Sequence, residues 1–99
     1  VYTREIEEVL YRHPSILEAA VIGIPDKLRG QAICAYIVLN EGYALDKREI
    51  RKYLLERIAP YKVPREFLFR AEMPKSATGK ILKTVLREQA LIDMVNRKR

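Results

Sequence analysis

The run Pro74-Lys75-Ser76-Ala77-Thr78-Gly79-Lys80, followed directly by Ile81-Leu82, offers the clearest chemistry in the chain. Gly79 can take a positive φ and let the backbone approach a ligand closely. The apolar pair after Lys80 opens a helical pattern, whose first amides would point outward and favour an anion. Lys80 adds a full positive charge to that field, so a phosphate group suits the loop. A nucleotide P-loop is excluded: Gly79 is the only glycine of the run, and Ile81 stands where Ser or Thr must follow the lysine. One unit charge about 4 Å from another is worth about 4 kcal/mol at an effective dielectric near 20. That covers the roughly 10²–10³-fold effect of one oriented transition-state contact. In open water the same lysine contributes little. Read on its own, Lys80 is a surface lysine; it becomes catalytic only where a second surface closes over it.

The elements that must position this loop are legible in the pattern of apolar residues. Over residues 3–13, Ile6, Val9, Leu10 and His13 fall at i, i+3, i+4 and i+7, with Glu5, Glu7 and Glu8 near the N-terminal dipole. Pro14 ends this helix, and His13 reads as a cation at its C-terminus. Residues 16–24 and 32–39 read as two largely buried strands around a polar turn at 26–30. Asp46 and Glu49 have capping-box spacing, with Leu45 and Ile50 placed as a hydrophobic staple. Ile50, Tyr53, Leu54 and Ile58 trace one face of the second helix until Pro60 stops it. Residues 61–65 form a connector, 67–69 a third strand, and 81–95 a final helix. The predicted order is α-β-β-α-β-α, an α+β fold. A hairpin followed by a helical crossover gives a small three-stranded mixed sheet with helices packed on it. The two long strands carry few polar residues on either face, which predicts cover on both sides.

Ninety-nine residues make one domain, enough to bury about 60–65% of the unfolded surface. No apolar run reaches the roughly 18 residues that cross a bilayer. Neither a secretory signal nor an initiator Met opens the sequence, so the chain reads as part of a longer one. Cys34 is the single cysteine, set in an apolar run; it reads as a buried small hydrophobe in a reducing, cytoplasmic setting. His13 and Cys34 lack metal-ligand spacing, so no metal site is expected. The formal charge of +6 is local: residues 1–73 carry 12 basic and 11 acidic side chains, residues 74–99 seven basic and two acidic. Such a basic segment suits phosphate ligands, acidic surfaces or nucleic acid. For Arg97-Lys98-Arg99 a solvated tail is explanation enough.

Four segments, in order, resemble the C-terminal domain of adenylate-forming enzymes, the superfamily of acyl-CoA synthetases, luciferases and peptide-synthetase adenylation domains. Val1-Tyr2-Thr3-Arg4-Glu5-Ile6-Glu7 is similar to the end of the hinge-proximal motif, where a proline often stands at the place of Thr3. Residues 18–26 with Arg29-Gly30 resemble the central hairpin and its turn. Ala59-Pro60-Tyr61-Lys62-Val63-Pro64 resembles the segment before the last strand. Residues 74–80 resemble the terminal catalytic loop. The similarity therefore covers nearly the whole chain.

That resemblance implies a lid domain, residues 1–99, cut from an AMP-forming acyl-CoA synthetase whose large N-terminal domain binds ATP and a carboxylic acid. It implies that Lys80 meets the carboxylate and α-phosphate during adenylation, on a loop with Ser76, Thr78 and Gly79. The small domain then rotates for thioester formation with CoA. In some members it contacts the CoA nucleotide: a ring at the place of Tyr61 stacks on adenine, and cations near Lys62, Arg65 and Arg29 meet phosphates. Tyr61 packed beneath the last helix, with the cations simply solvated, is the plainer alternative. ATP, Mg2+ and CoA are expected in the longer enzyme, with none held by this chain alone, which is expected to be inactive. Its partners would be its own N-terminal domain and the substrates, with fatty or related acids first among them. Two other readings stay open: the same domain in an enzyme that loads a carrier protein, and a stand-alone basic module binding RNA or protein. The basic segment has few aromatics and no RNA-recognition signature, so nucleic acid is not expected as a partner.

Overall fold

A computed structural model describes the backbone of residues 3–26 and 30–97, and the side chains of residues 3–25 and 30–93. Helix α1 spans Thr3–Tyr11, strand β1 Ile16–Asp26, strand β2 Gly30–Leu39, helix α2 Lys47–Leu55, strand β3 Glu66–Phe69 and helix α3 Lys83–Arg97, with a 3-10 turn at Pro60–Lys62. β1 and β2 pair antiparallel from Ile16↔Leu39 to Asp26↔Gly30, with an irregularity between Ile16 and Glu18. β3 adds parallel to β2, from Cys34↔Glu66 to Ile37↔Phe69. The order β1-β2-β3 is the mixed sheet expected from a hairpin plus a helical crossover.

Period-2 alternation sorts the strand residues into two cores. On one face Ala19 and Val21 of β1, Ala35 and Ile37 of β2, and Phe67 of β3 pack against Ile6, Val9 and Leu10 of α1 and Ile50 and Leu54 of α2. On the other, Ala20, Ile22 and Ile24 join Ala32, Cys34, Tyr36 and Val38 beneath Leu86 and Ala90 of α3, with Met73 beside them. The central strand is thus covered on both sides. Cys34 is buried at 1% exposure, as its apolar setting predicts.

α2 begins as its sequence requires. The Asp46 carboxylate accepts from the Glu49 amide at 2.8 Å, and Glu49 accepts from the Asp46 amide at 3.1 Å, a complete capping box. Ile50 is fully buried and Leu45 packs against the same core. The helix itself stops at Leu55, ahead of Pro60.

His13 departs from its predicted role. Its Nδ1 accepts a hydrogen bond from the Ser15 amide at 3.0 Å, which requires the neutral ring. Its ring meets Tyr53 edge-on, with centroids 4.7 Å apart. Burial, and then the nearby Arg57 guanidinium, pull its pKa below the ordinary imidazole value. His13 therefore serves as an acceptor in the turn that follows α1 and not as a cation at the helix end.

Two stability predictions follow from this packing. Phe67 is fully buried at the junction of β3, α1 and α2, so Phe67→Ala should cost about 3–5 kcal/mol in urea unfolding. For His13 the unfolded chain binds the proton more readily than the folded one, so stability rises with pH between the two pKa values. It should be complete above about pH 6.5 and decline as the pH falls through that value. Urea midpoints at pH 7 and pH 5.5 should differ more in the native chain than in His13→Gln; equal differences would remove His13 as the cause.

Candidate functional site

Lys80 lies not at a helix N-terminus but on the return arm of a tight hairpin, which corrects the reading of Ile81-Leu82 as helix. The Gly79 amide donates to the Ser76 carbonyl at 2.9 Å, closing a β-turn over residues 76–79. The Ser76 amide then donates to the Lys80 carbonyl at 2.9 Å, and Gly79 takes φ +87°. This is the three-residue hairpin loop, a turn followed by a glycine at positive φ. Lys75 and Ile81 pair antiparallel below it, and the Leu82 amide donates to the Pro74 carbonyl at 2.9 Å. Ile81 and Leu82 are thereby held in the hairpin, and α3 starts only at Lys83.

Ser76 and Thr78 spend their hydroxyls on contacts within the loop. The Ser76 hydroxyl accepts from the Lys80 amide at 3.2 Å and lies 2.9 Å from the Thr78 hydroxyl. Both side chains therefore hold the loop's shape, and Gly79 supplies the conformation that an L side chain would resist. Beneath, Met73 is buried and Ile81 packs against the α3-side core, so both arms of the loop are anchored. Lys80 itself is exposed, and no side chain among the described residues pairs with it. A rigid base with one exposed ammonium group can present a positive charge to an incoming anion at little ordering cost.

The surrounding lysines behave differently. Lys83 pairs with Glu7 at 2.7 Å, and the same Glu7 oxygen accepts from the Val21 amide at 2.8 Å. Lys75 pairs with Glu18. Arg87 donates to the Gly23 carbonyl at 3.3 Å. The sequence pattern marks Glu7 only as an acid near a helix N-terminus and Glu18 not at all, because these pairs join residues far apart in the chain and leave no local spacing to read.

The predicted nucleotide contacts lie elsewhere. Tyr61, 71% exposed on the 3-10 turn, is not packed beneath the last helix. With Arg51, Leu55, Pro60, Val63, Pro64 and Arg65 it lines a shallow groove. Arg65 is exposed, while Lys62 bonds Glu5 of α1 at 2.9 Å and lies 5.9 Å from the Tyr61 ring centroid. Tyr61, Lys62 and Arg65 thus share one region, apart from Lys80 in sequence and element. Arg29 lies outside the described residues. Among the described residues no three His, Cys, Asp or Glu side chains gather as metal ligands, and no helix is long and apolar enough to cross a membrane.

The fold and loop define a small α+β domain that presents one lysine on a rigid hairpin. Residues 5–80 match the family described as the AMP-binding enzyme C-terminal domain, and the chain belongs to that family. Over 89 residues it is 46% identical to a long-chain-fatty-acid–CoA ligase of Bacillus subtilis, covering 90% of this chain and 16% of the relative. It is 44% identical over 87 residues to a sulfoacetate–CoA ligase of Cupriavidus necator, covering 88% of this chain and 17% of that one. Among solved structures, a fatty acyl CoA synthetase of Mycobacterium tuberculosis superposes with a TM-score of 0.82 at 42% identity, over 89% of this chain and 17% of the other. The chain spans about one sixth of the length of the relatives it matches.

The loop geometry gives a direct test. A Cβ added at Gly79 meets nothing within 4 Å, so any cost of Gly79→Ala comes from φ +87° alone. Gly79→Ala should destabilise by about 1–2 kcal/mol, and Gly79→Asn by less, because Asn tolerates positive φ better. Amide exchange at Gly79 and Lys80 should speed up in the same order. Equal effects of Ala and Asn would mean that φ is not the constraint.

Proposed function

We propose that this chain is the C-terminal domain of an ATP-dependent acyl-CoA synthetase, and that Lys80 is its adenylation lysine. The observation that carries the reading is the exposed Lys80, unpaired among the described residues, on a hydrogen-bonded turn in a chain that belongs to this family. In the reaction a substrate carboxylate oxygen attacks the α-phosphorus of ATP, and pyrophosphate leaves as the acyl-adenylate forms. CoA sulfur then attacks the acyl carbon, AMP leaves, and a thioester results. Lys80 would neutralise charge between carboxylate and α-phosphate in the first step, a task of position and electrostatics and not of covalent chemistry.

Its position on an open surface means that the charge gains force only when a larger domain closes over it and excludes water. That domain, with the ATP and acid sites, would be the partner of this one, and the isolated chain would be inactive. Mg2+ would ride on the ATP phosphates, its usual place in phosphoryl and nucleotidyl transfer. Ser76, Thr78 and Gly79 would act by shaping the loop. Tyr61, Lys62, Arg65 and Arg29 would serve the CoA nucleotide, Tyr61 by stacking in its exposed groove. Opening the Lys62–Glu5 pair would be part of any phosphate contact by Lys62. A buried lone thiol suits a reducing compartment such as the cytoplasm.

Relatives of similar identity include ligases of long-chain fatty acids and of sulfoacetate. A fatty or related carboxylic acid is the substrate class we favour from the first of these. In the full-length enzyme Lys80→Ala should lower ATP–pyrophosphate exchange by about 10²–10³-fold. Thioester formation from supplied acyl-adenylate should stay near the native rate. Equal losses in both half-reactions would overturn the role given to Lys80. Offering CoA and a carrier protein as acceptors in the same assay would separate the ligase from a carrier-loading enzyme.

A further inference from the structure

Lys80 shares a groove with two carboxylates that are paired to other lysines. Glu7, Glu18, Lys80 and Lys83 line one shallow groove with Gly79 and Ile81. Lys75 reaches the same groove by pairing with Glu18. The side chains of Glu7 and Glu18 are only 17% and 18% exposed, whereas Lys75 and Lys83 are each 41% exposed. A carboxylate so largely withdrawn from water is costly without a cation and attracts the nearest one strongly. Two carboxylates face three lysines, and Lys75 and Lys83 take them both. Among the described residues one positive charge of the groove is left over, and it is that of Lys80.

The hairpin does not need the Lys75–Glu18 pair to keep its shape. It is closed by backbone bonds between Ser76 and Lys80 and between Leu82 and Pro74. Its base is fixed in the core through Met73 and Ile81. What the pair does control is which cation Glu18 holds. We propose that Lys75 is a positioning residue that occupies Glu18 and so prevents this carboxylate from capturing Lys80. Lys83 plays the matching part toward Glu7. Because Glu7 also accepts the Val21 amide, its removal disturbs the join of α1 to β1, and Lys75–Glu18 is the cleaner pair to probe.

The inference rests on the adenylation role of Lys80 and is tested in the full-length enzyme by measuring both half-reactions. Lys75→Gln uncovers Glu18 and should lower ATP–pyrophosphate exchange about tenfold, while thioester formation from supplied acyl-adenylate is largely kept. Lys75→Arg, which can still pair with Glu18, should keep exchange within about threefold of the native enzyme. The double variant Lys75→Gln/Glu18→Gln removes both the guard and the trap, and should recover most of the exchange lost in Lys75→Gln alone. A double variant no better than the single one, or a Glu18→Gln single variant as impaired as Lys75→Gln, would show a mere structural brace and overturn the proposal. So would native exchange in Lys75→Gln. Lys80→Ala in the same assay keeps the two ideas apart. If it abolishes exchange while Lys75→Gln does not lower it, only the guard is refuted. If Lys80→Ala keeps native exchange, the role of Lys80 falls and the guard with it.

Discussion

Burial of the central strand on both faces is the constraint on which the rest of this domain depends. Ala35 and Ile37 face α1 and α2, while Cys34, Tyr36 and Val38 face α3. A sheet of three strands has too little area to leave either of these apolar faces to water. The chain must therefore send two helices to one side and bring its last helix to the other. The segment between β3 and α3 is what carries the chain to that second face. Met73 and Ile81, on its two arms, sink into the α3-side core, so the loop between them is stretched over fixed points. Its rigidity is a consequence of core packing, reinforced by the turn hydrogen bonds.

Much of this was readable from the sequence because it is local. The Asp46–Glu49 capping box and the near-continuous burial of β1 and β2 each follow from neighbouring residue types. The positive φ of Gly79 follows from glycine's lack of a Cβ. What the sequence misread was decided by tertiary partners. Ile81 and Leu82 fit a helical pattern as well as an extended arm, and the backbone bonds to Pro74 and the pairing with Lys75 settle the choice. His13 fits a helix-end cation until the Ser15 amide claims its lone pair. Lys62 looks like a solvated cation until Glu5 of α1 is brought beside it.

The basic C-terminal segment shows the same division between composition and arrangement. By count, residues 74–99 carry a clear surplus of positive charge. In the fold, carboxylates from α1 and β1 take up Lys83 and Lys75, and Arg87 is directed to a backbone carbonyl. A charge excess that looks like a broad cationic face becomes, around the loop, a local balance with one ammonium group outstanding. The electrostatic character of that site is thus set by Glu7 and Glu18, residues in the first fifth of the chain.

One outstanding charge on a rigid turn suits a site built from two bodies. In water its attraction for a phosphate a few ångströms away is of the order of 1 kcal/mol, and rises several-fold when a closing surface lowers the effective dielectric. On the proposed reading the same lysine would contribute little while the domain stands open and much once the domain is docked. That difference is what would let one small domain serve two half-reactions. Its lysine would act only in the arrangement that buries it, and rotation of the domain would withdraw the charge without any change in the loop. Such a device demands that nothing within the domain should bury or neutralise the lysine first. The pairing of the neighbouring carboxylates with other lysines meets that demand.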